Sequence, residues 1–325
     1  MPWPTNLHQP YVKTKNGKCT QEEMGVTDVH KHLWIELSHH RQTDYLRQKD
    51  FEKILAEFAV YRSAGGQTVF DCQPLVCGQN SEKLIKLSKG KAVKVVACTG
   101  FHQKKYYSRE YYFWKADADK LTSFFCDEPS QGMKESKSLK RLINPSFFKA
   151  ASEQEFIAMY QPLLEGSINA SIEMKCLLMI HTDLGADAEK IVEYIQNIGM
   201  SCRQLLIYQM DKRPATDLHA SLAKSEVLMQ NCTFFRKKYA PEKTVWLLIG
   251  IMISSGYEDF LALASGMVDC RTWKVFGGEI GMAGFTLYIK GRFADIEIEP
   301  SVIEKMMGKN ITKCLKLKNY QEKLL

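Results

Sequence analysis

The stretch LLMIHTDLGADAEKIVEYIQNIG, residues 177–199, decides how the chain folds. It opens on a short apolar run that ends in His181 and Thr182, of the length and composition of a strand buried on both faces. An amphipathic segment over 186–198 follows, with apolar residues recurring at helical spacing. Strand then helix is one βα unit, the building block of a parallel sheet.

The same rhythm extends in both directions. Before it come GQTVFDC, a helix near 80–89, AVKVVACTG, and the apolar run ending at Lys149; after it come QLLIYQMD, a helix from about 214, EVLMQNC, a helix over 242–255, and FLALASG. With VTDVH at the start this makes eight strands without an internal boundary. The count favours a closed (β/α)8 TIM barrel, an α/β fold, as a single domain over 1–325, with an open doubly wound sheet as the alternative that counting alone leaves standing.

One region breaks the rhythm. Residues 103–141, aromatic in KKYYSREYYFW and polar in GMKESKSLKR, read as an insertion between strands three and four near the mouth. Its Tyr and Trp cluster is either a lid over substrate or the apolar side of a segment packed on the barrel. Beyond strand eight, GGEIGMAGFTLYIKGRF and PSVIEKMMGKNITKCL read as a Gly-rich loop and closing helices over the bottom or side of the barrel.

Composition narrows the class. At 325 residues, 45% hydrophobic and 25% charged, the chain can bury a large core without staples. The net charge of +7 is spread along the chain and comes with no nucleic-acid signature, so it reads as a solvated surface; the tail KNITKCLKLKNYQEK is the one segment that leaves nucleic acid as a remote alternative. The ten cysteines form no C-x-x-C pair, and Cys72, Cys98 and Cys176 lie in apolar runs, which fits buried thiols in a reducing, cytoplasmic setting. The start is polar and Pro-containing, unlike a secretory signal, and runs such as LLIGIMISSG are too short to span a membrane.

Chemistry enters at strand ends. In VTDVHKHLW, His30 and His32 are two residues apart, so an extended strand directs both imidazoles to one side, where they can chelate a metal ion. A pair this close is common by chance, and His39 and His40 lie nearby. Context raises its weight: FDCQPLVCGQN follows strand two, VVACTGFHQKKYY surrounds the end of strand three, and MIHT ends strand five. His102, just past strand three, is either a ligand or base at the mouth or a surface histidine.

Taken in order, H-x-H, GGxTxxD, xxTGF, an isolated Lys and xIHT resemble the phosphotriesterases and their lactonase relatives in the amidohydrolase superfamily, from about Gly25 to Asn310. The resemblance implies a barrel that holds one or two divalent metal ions, most often zinc. In such proteins the ligands are the H-x-H pair, a carboxylated lysine from strand four, histidines from strands five and six, and an aspartate from strand eight. His30 and His32 match the pair, Lys149 in NPSFFKAAS matches the lysine, and His181 matches the strand-five histidine. Carboxylated Lys149 would bridge the ions; the bland alternative is a lysine paired with an acid at the mouth.

Two positions depart from that pattern. The strand-six histidine of the family's GH-x-D falls on Gln209 in YQMD, with Asp211 retained, and the strand-eight aspartate falls on Met267 in LALASGMVDCRTWKVFGG. A thioether cannot accept a proton from bound water. Asp269 is two residues on, about 6.6 Å further along an extended strand, and could take the role only if the loop folds back. The expected metal set is therefore His30, His32, Lys149, His181 and Gln209, with Lys149, His102 and Asp269 as the catalytic candidates.

Two functions follow from these expectations. The first is a metal-dependent hydrolase of a lactone or other ester, including phosphoesters, with weakened or altered activity. The second is a catalytically silent barrel that keeps a ligand pocket. In either case the partner is a small molecule, nucleic acid and membrane are not expected, and a homodimer is left open.

Overall fold

The computed structural model describes residues 11–14, 17–34, 50–74, 77–89, 93–133, 144–153, 160–182, 184–267 and 270–315. Eight parallel strands form the barrel: β1 (Thr27–Lys31), β2 (Thr68–Asp71), β3 (Lys94–Gly100), β4 (Phe147–Ser152), β5 (Leu177–Thr182), β6 (Leu205–Tyr208), β7 (Leu228–Asn231) and β8 (Leu261–Leu263). Each pairs with the next in sequence order, so the sheet is singly wound, and the fold is a (β/α)8 TIM barrel.

Eight helices return the chain on the outside: α1 (Phe51–Ser63), α2 (Ser81–Lys89), α3 (Ala118–Gln131), α4 (Gln161–Met174), α5 (Ala188–Ile198), α6 (Thr216–Lys224), α7 (Val245–Ser254) and α8 (Gly281–Asp295). In α5, Ile191, Val192 and Ile195 form the buried stripe, and Gly199 stops the helix at φ +97°, a left-handed position that favours glycine. The strand alternation sorts the core in two. Leu177 and Met179 of β5 face the lumen, whereas Leu178 and Ile180 face the helices.

The barrel closes between β8 and β1 through side chains. Ser265, just past β8, donates its backbone N–H to Asp28 Oδ1 at 3.2 Å, and Lys31 Nζ donates to Ser265 Oγ at 2.6 Å. Lys31 and Asp28 also form a fully buried ion pair at 3.2 Å. On the other edge of β1 the register to β2 shifts between Asp28 and Lys31, the mark of a bulge. As a result Val29 packs in the lumen cluster while His30 also turns inward, against the ring of Tyr208.

The stretch from 103 consists of two 3-10 turns, Lys104–Tyr106 and Tyr112–Lys115, followed by α3, the regular helix between β3 and β4. Residues 134–143 lie outside the described residues. Of its aromatics, Phe113 and Tyr107 are buried in the core outside the barrel, whereas Tyr106 reaches the mouth. At the opposite end, Cys19 and Met24 from the N-terminal hairpin and short helix pack with Ile311 and Leu315 in the lumen cluster and close the floor. No helix among the described residues is long and apolar enough to cross a membrane.

Candidate active site at the barrel mouth

The C-terminal ends of the strands form the mouth, where barrel enzymes place their chemistry. His30 and His32 leave the end of β1 with ring centres 5.2 Å apart. Two imidazoles sharing a tetrahedral ion at ~2.1 Å have ring centres roughly 5 Å apart, so this separation suits joint ligation. The orientation of His32 is fixed from behind. Its Nδ1 bonds Gln73 Oε1, while Gln73 Nε2 donates to the Cys77 carbonyl. Because the amide nitrogen is the donor there, the amide oxygen must accept; Nδ1 then carries the proton and Nε2 of His32 the lone pair.

His181 ends β5, and His102 follows β3, with ring centres 5.3 Å apart; Tyr106 stands 4.7 Å from His102. The Nδ1 atoms of His30, His102 and His181 are buried without a hydrogen-bond partner among the described residues. Burial, reinforced by surrounding cations, holds these three imidazoles well below the usual histidine range and His32 at about 3. All four are neutral at pH 7, the form in which a ring nitrogen can bind a metal or accept a proton.

Lys149 lies inside β4, fully buried, and donates from Nζ to the Cys72 carbonyl at 2.8 Å. Burial lowers its pKa, and the groups that oppose this are thiols and Asp71. Directly across from its strand end, Gly100 has φ +112°, and a Cβ there would lie 2.0 Å from the Lys149 carbonyl oxygen. The glycine of the TGF motif is thus required for β3 to approach β4 beside the lysine.

The two departures from the expected ligand set are also placed. Gln209 follows β6 at φ +59°; its backbone N–H donates to Gln230 Oε1 at 3.0 Å, and its side-chain oxygen accepts from Lys212 Nζ. Met267 is buried at the end of the β8 segment. Asp269 lies outside the described residues. Asp211 turns to β7: its Oδ2 accepts from the N–H groups of Cys232 and Thr233 and from Thr233 Oγ1 at 2.6–2.7 Å, tying the loop after β6 to the end of β7.

Several residues at the site were not singled out by sequence reasoning. Tyr208 sits against His30, with ring centres 4.5 Å apart, and 6.2 Å from His181. Its only sequence signal was its place, where GH-x-D has glycine. Gln73 lies two residues past β2 in FDCQP and was legible only as part of a motif. Lys212, Lys105 and Arg236 stand close enough to act on the mouth histidines, the first two on His181 and the third on His30.

Fold and site together define a (β/α)8 barrel whose mouth is lined with imidazoles. The chain belongs to the phosphotriesterase family, whose sequence pattern matches residues 10–282. It is similar to a phospho-furanose lactonase of Mycoplasmopsis agalactiae, 27% identical over 221 residues, which cover 63% of this chain and 61% of that protein, short of two thirds of its length. A phospho-furanose lactonase of Mycoplasmopsis synoviae is 23% identical over 275 residues, 79% of this chain and 76% of that one. In fold, a lactonase from Listeria monocytogenes superposes with a TM-score of 0.86 at 20% identity, over 95% of this chain and 99% of its own.

The family binds divalent metals, and the donor chemistry here fits an ion at one place. His32 is a neutral imidazole with its bare nitrogen set by Gln73, and His30 beside it has an unpartnered ring nitrogen. Among the described residues, no three His, Cys, Asp or Glu side chains gather as the ligands of one ion. The histidines stand as two pairs, His30 with His32 and His102 with His181.

Proposed function

We propose that this chain is a metal-assisted hydrolase of a lactone carrying a phosphate or similar anionic group. The observation that carries the reading is the His30–His32 pair, neutral and buried, with His32 fixed in tautomer by Gln73, at the mouth of a phosphotriesterase-family barrel. His30 and His32 would hold the ion, with His181 the further candidate ligand at the mouth. A bound divalent ion supplies Lewis acidity and lowers the pKa of water towards about 7.

The remaining steps belong to the protein. Lys105, Lys212 and Arg236 attract and orient the anionic group, a role that agrees with the phosphorylated substrates named for the two lactonase relatives. His102 takes the proton of the attacking water and returns it to the ring oxygen as the lactone opens, the role Met267 cannot fill. Without the strand-eight aspartate, turnover lies about 10²- to 10⁴-fold below a complete site.

The test is a hydrolysis screen of phosphorylated and unphosphorylated sugar lactones with zinc- or manganese-loaded protein. Turnover that favours the phosphorylated ring and is lost in His30→Ala is expected. Loaded protein that opens none of these lactones would remove the reading.

A further inference from the structure

Strands β6 and β2 face each other across an eight-stranded barrel, and one side chain reaches from the first to the second. Tyr208 leaves β6, and its phenol oxygen lies 2.7 Å from Cys72 Sγ at the end of β2 and 3.0 Å from Met179 Sδ on β5. The side chain is fully buried. On its way across the axis the ring passes His30 at 4.5 Å and His181 at 6.2 Å, centre to centre. It therefore adjoins one ring of each pair, His30 of the first and His181 of the second.

Lys149 belongs to the same layer. Its Nζ is bonded to the carbonyl of Cys72, the residue whose thiol meets the phenol, and lies 6.0 Å from the Tyr208 ring centre. To bridge two ions as a carbamate, the amine must bond a carbon dioxide molecule and turn two new oxygens towards the axis. Here the amine donates to a backbone carbonyl, so a carbamate would keep its one N–H on that carbonyl and would have to place both new oxygens on the side of the Tyr208 ring. The Tyr208 ring fills the lumen beside this amine and beside His30 and His181, the space that those oxygens and a second ion would need. The family's GH-x-D has glycine at this position, which leaves that volume open.

We infer that Tyr208 closes the centre of the barrel to a second ion and to carboxylation of Lys149, so that the mouth holds one divalent cation, on His30 and His32, above an unmodified lysine. The inference rests on the metal-binding reading above and fixes its stoichiometry. The His30–His32 side is chosen because Gln73 orients His32, whereas neither His102 nor His181 has a partner at Nδ1.

The experiment is ion counting on the full chain, stripped with chelator and dialysed against zinc or cobalt, with ¹³C-bicarbonate NMR to detect a lysine carbamate. The wild type is expected to hold one ion per chain and give no carbamate signal. His32→Ala should lose the ion and His181→Ala should keep it. Tyr208→Gly with Gln209→His should gain a second ion and a carbamate resonance. Two ions or a carbamate in the wild type would overturn the inference and leave metal binding standing, as would loss of the ion in His181→Ala. A wild type that takes up no ion overturns the metal reading itself, and this inference with it. Should the double variant fail to fold, the wild type and His181→Ala still decide.

Discussion

Lys31 Nζ donates a 2.6 Å hydrogen bond to Ser265 Oγ and so joins the first barrel strand to the last. The same ammonium pairs with Asp28 and lies 5.6 Å from the ring centre of Trp273, with no solvent exposure on either charged side chain. The seam is where a barrel can open, and here it depends on a charge that has left water.

Removing one partner of such a pair leaves the other charged and buried, which costs about 3–5 kcal/mol. Asp28→Ala should therefore lower unfolding stability by that amount in urea titrations, whereas breaking a solvent-screened surface pair such as Lys120–Asp117 should change it little. Equal, small losses at the two sites would show that the seam is held by other contacts.

Gln73→Leu removes the acceptor that sets the His32 tautomer and leaves both histidines in place. Loss of an orienting partner behind a ligand typically weakens metal binding by about 10- to 100-fold. Competition titration with a zinc chelator should show this drop with circular dichroism unchanged, and Gln73→Glu, which keeps an acceptor, should restore much of the affinity.

Lys149 is a buried amine whose proton affinity is reduced by burial, with a backbone carbonyl as its hydrogen-bond acceptor. Lys149→Met should keep the fold, fill the same volume and raise stability by about 0.5–2 kcal/mol, while hydrolysis falls, the usual exchange at a functional position. Thermal melts and lactone assays on the same preparation measure both. A less stable variant would mean that the amine holds the barrel together.

Acid should destabilise the metal-free protein. Burial depresses the four mouth imidazoles, His32 to about 3, whereas in the unfolded chain they titrate near ~6.5. Between about 6.5 and 3 the unfolded chain binds protons that the folded chain refuses, so stability is complete above that window and is lost as pH falls through it. The slope approaches about 1.4 kcal/mol per pH unit for each such ring. Chemical denaturation at pH 7, 6 and 5 should show the decline and His32→Gln should remove one ring's share of it; a constant stability would place the rings in water.

The amino-acid sequence by itself determined the eight βα units and the addresses of His30, His32 and His181 near strand ends and of Lys149 on its strand, because strand and helix periodicities are local and each of these residues lies in or beside an apolar run. It also marked Gln209 and Met267 as departures. Only the tertiary structure decided which of these side chains stand together. The bulge that turns His30 inward, the Gln73 contact that sets His32, the Lys31–Ser265 seam and the reach of Tyr208 to Cys72 join residues 41 to 234 positions apart or depend on strand register. Such contacts are set by distances across the closed lumen, which local periodicity does not encode.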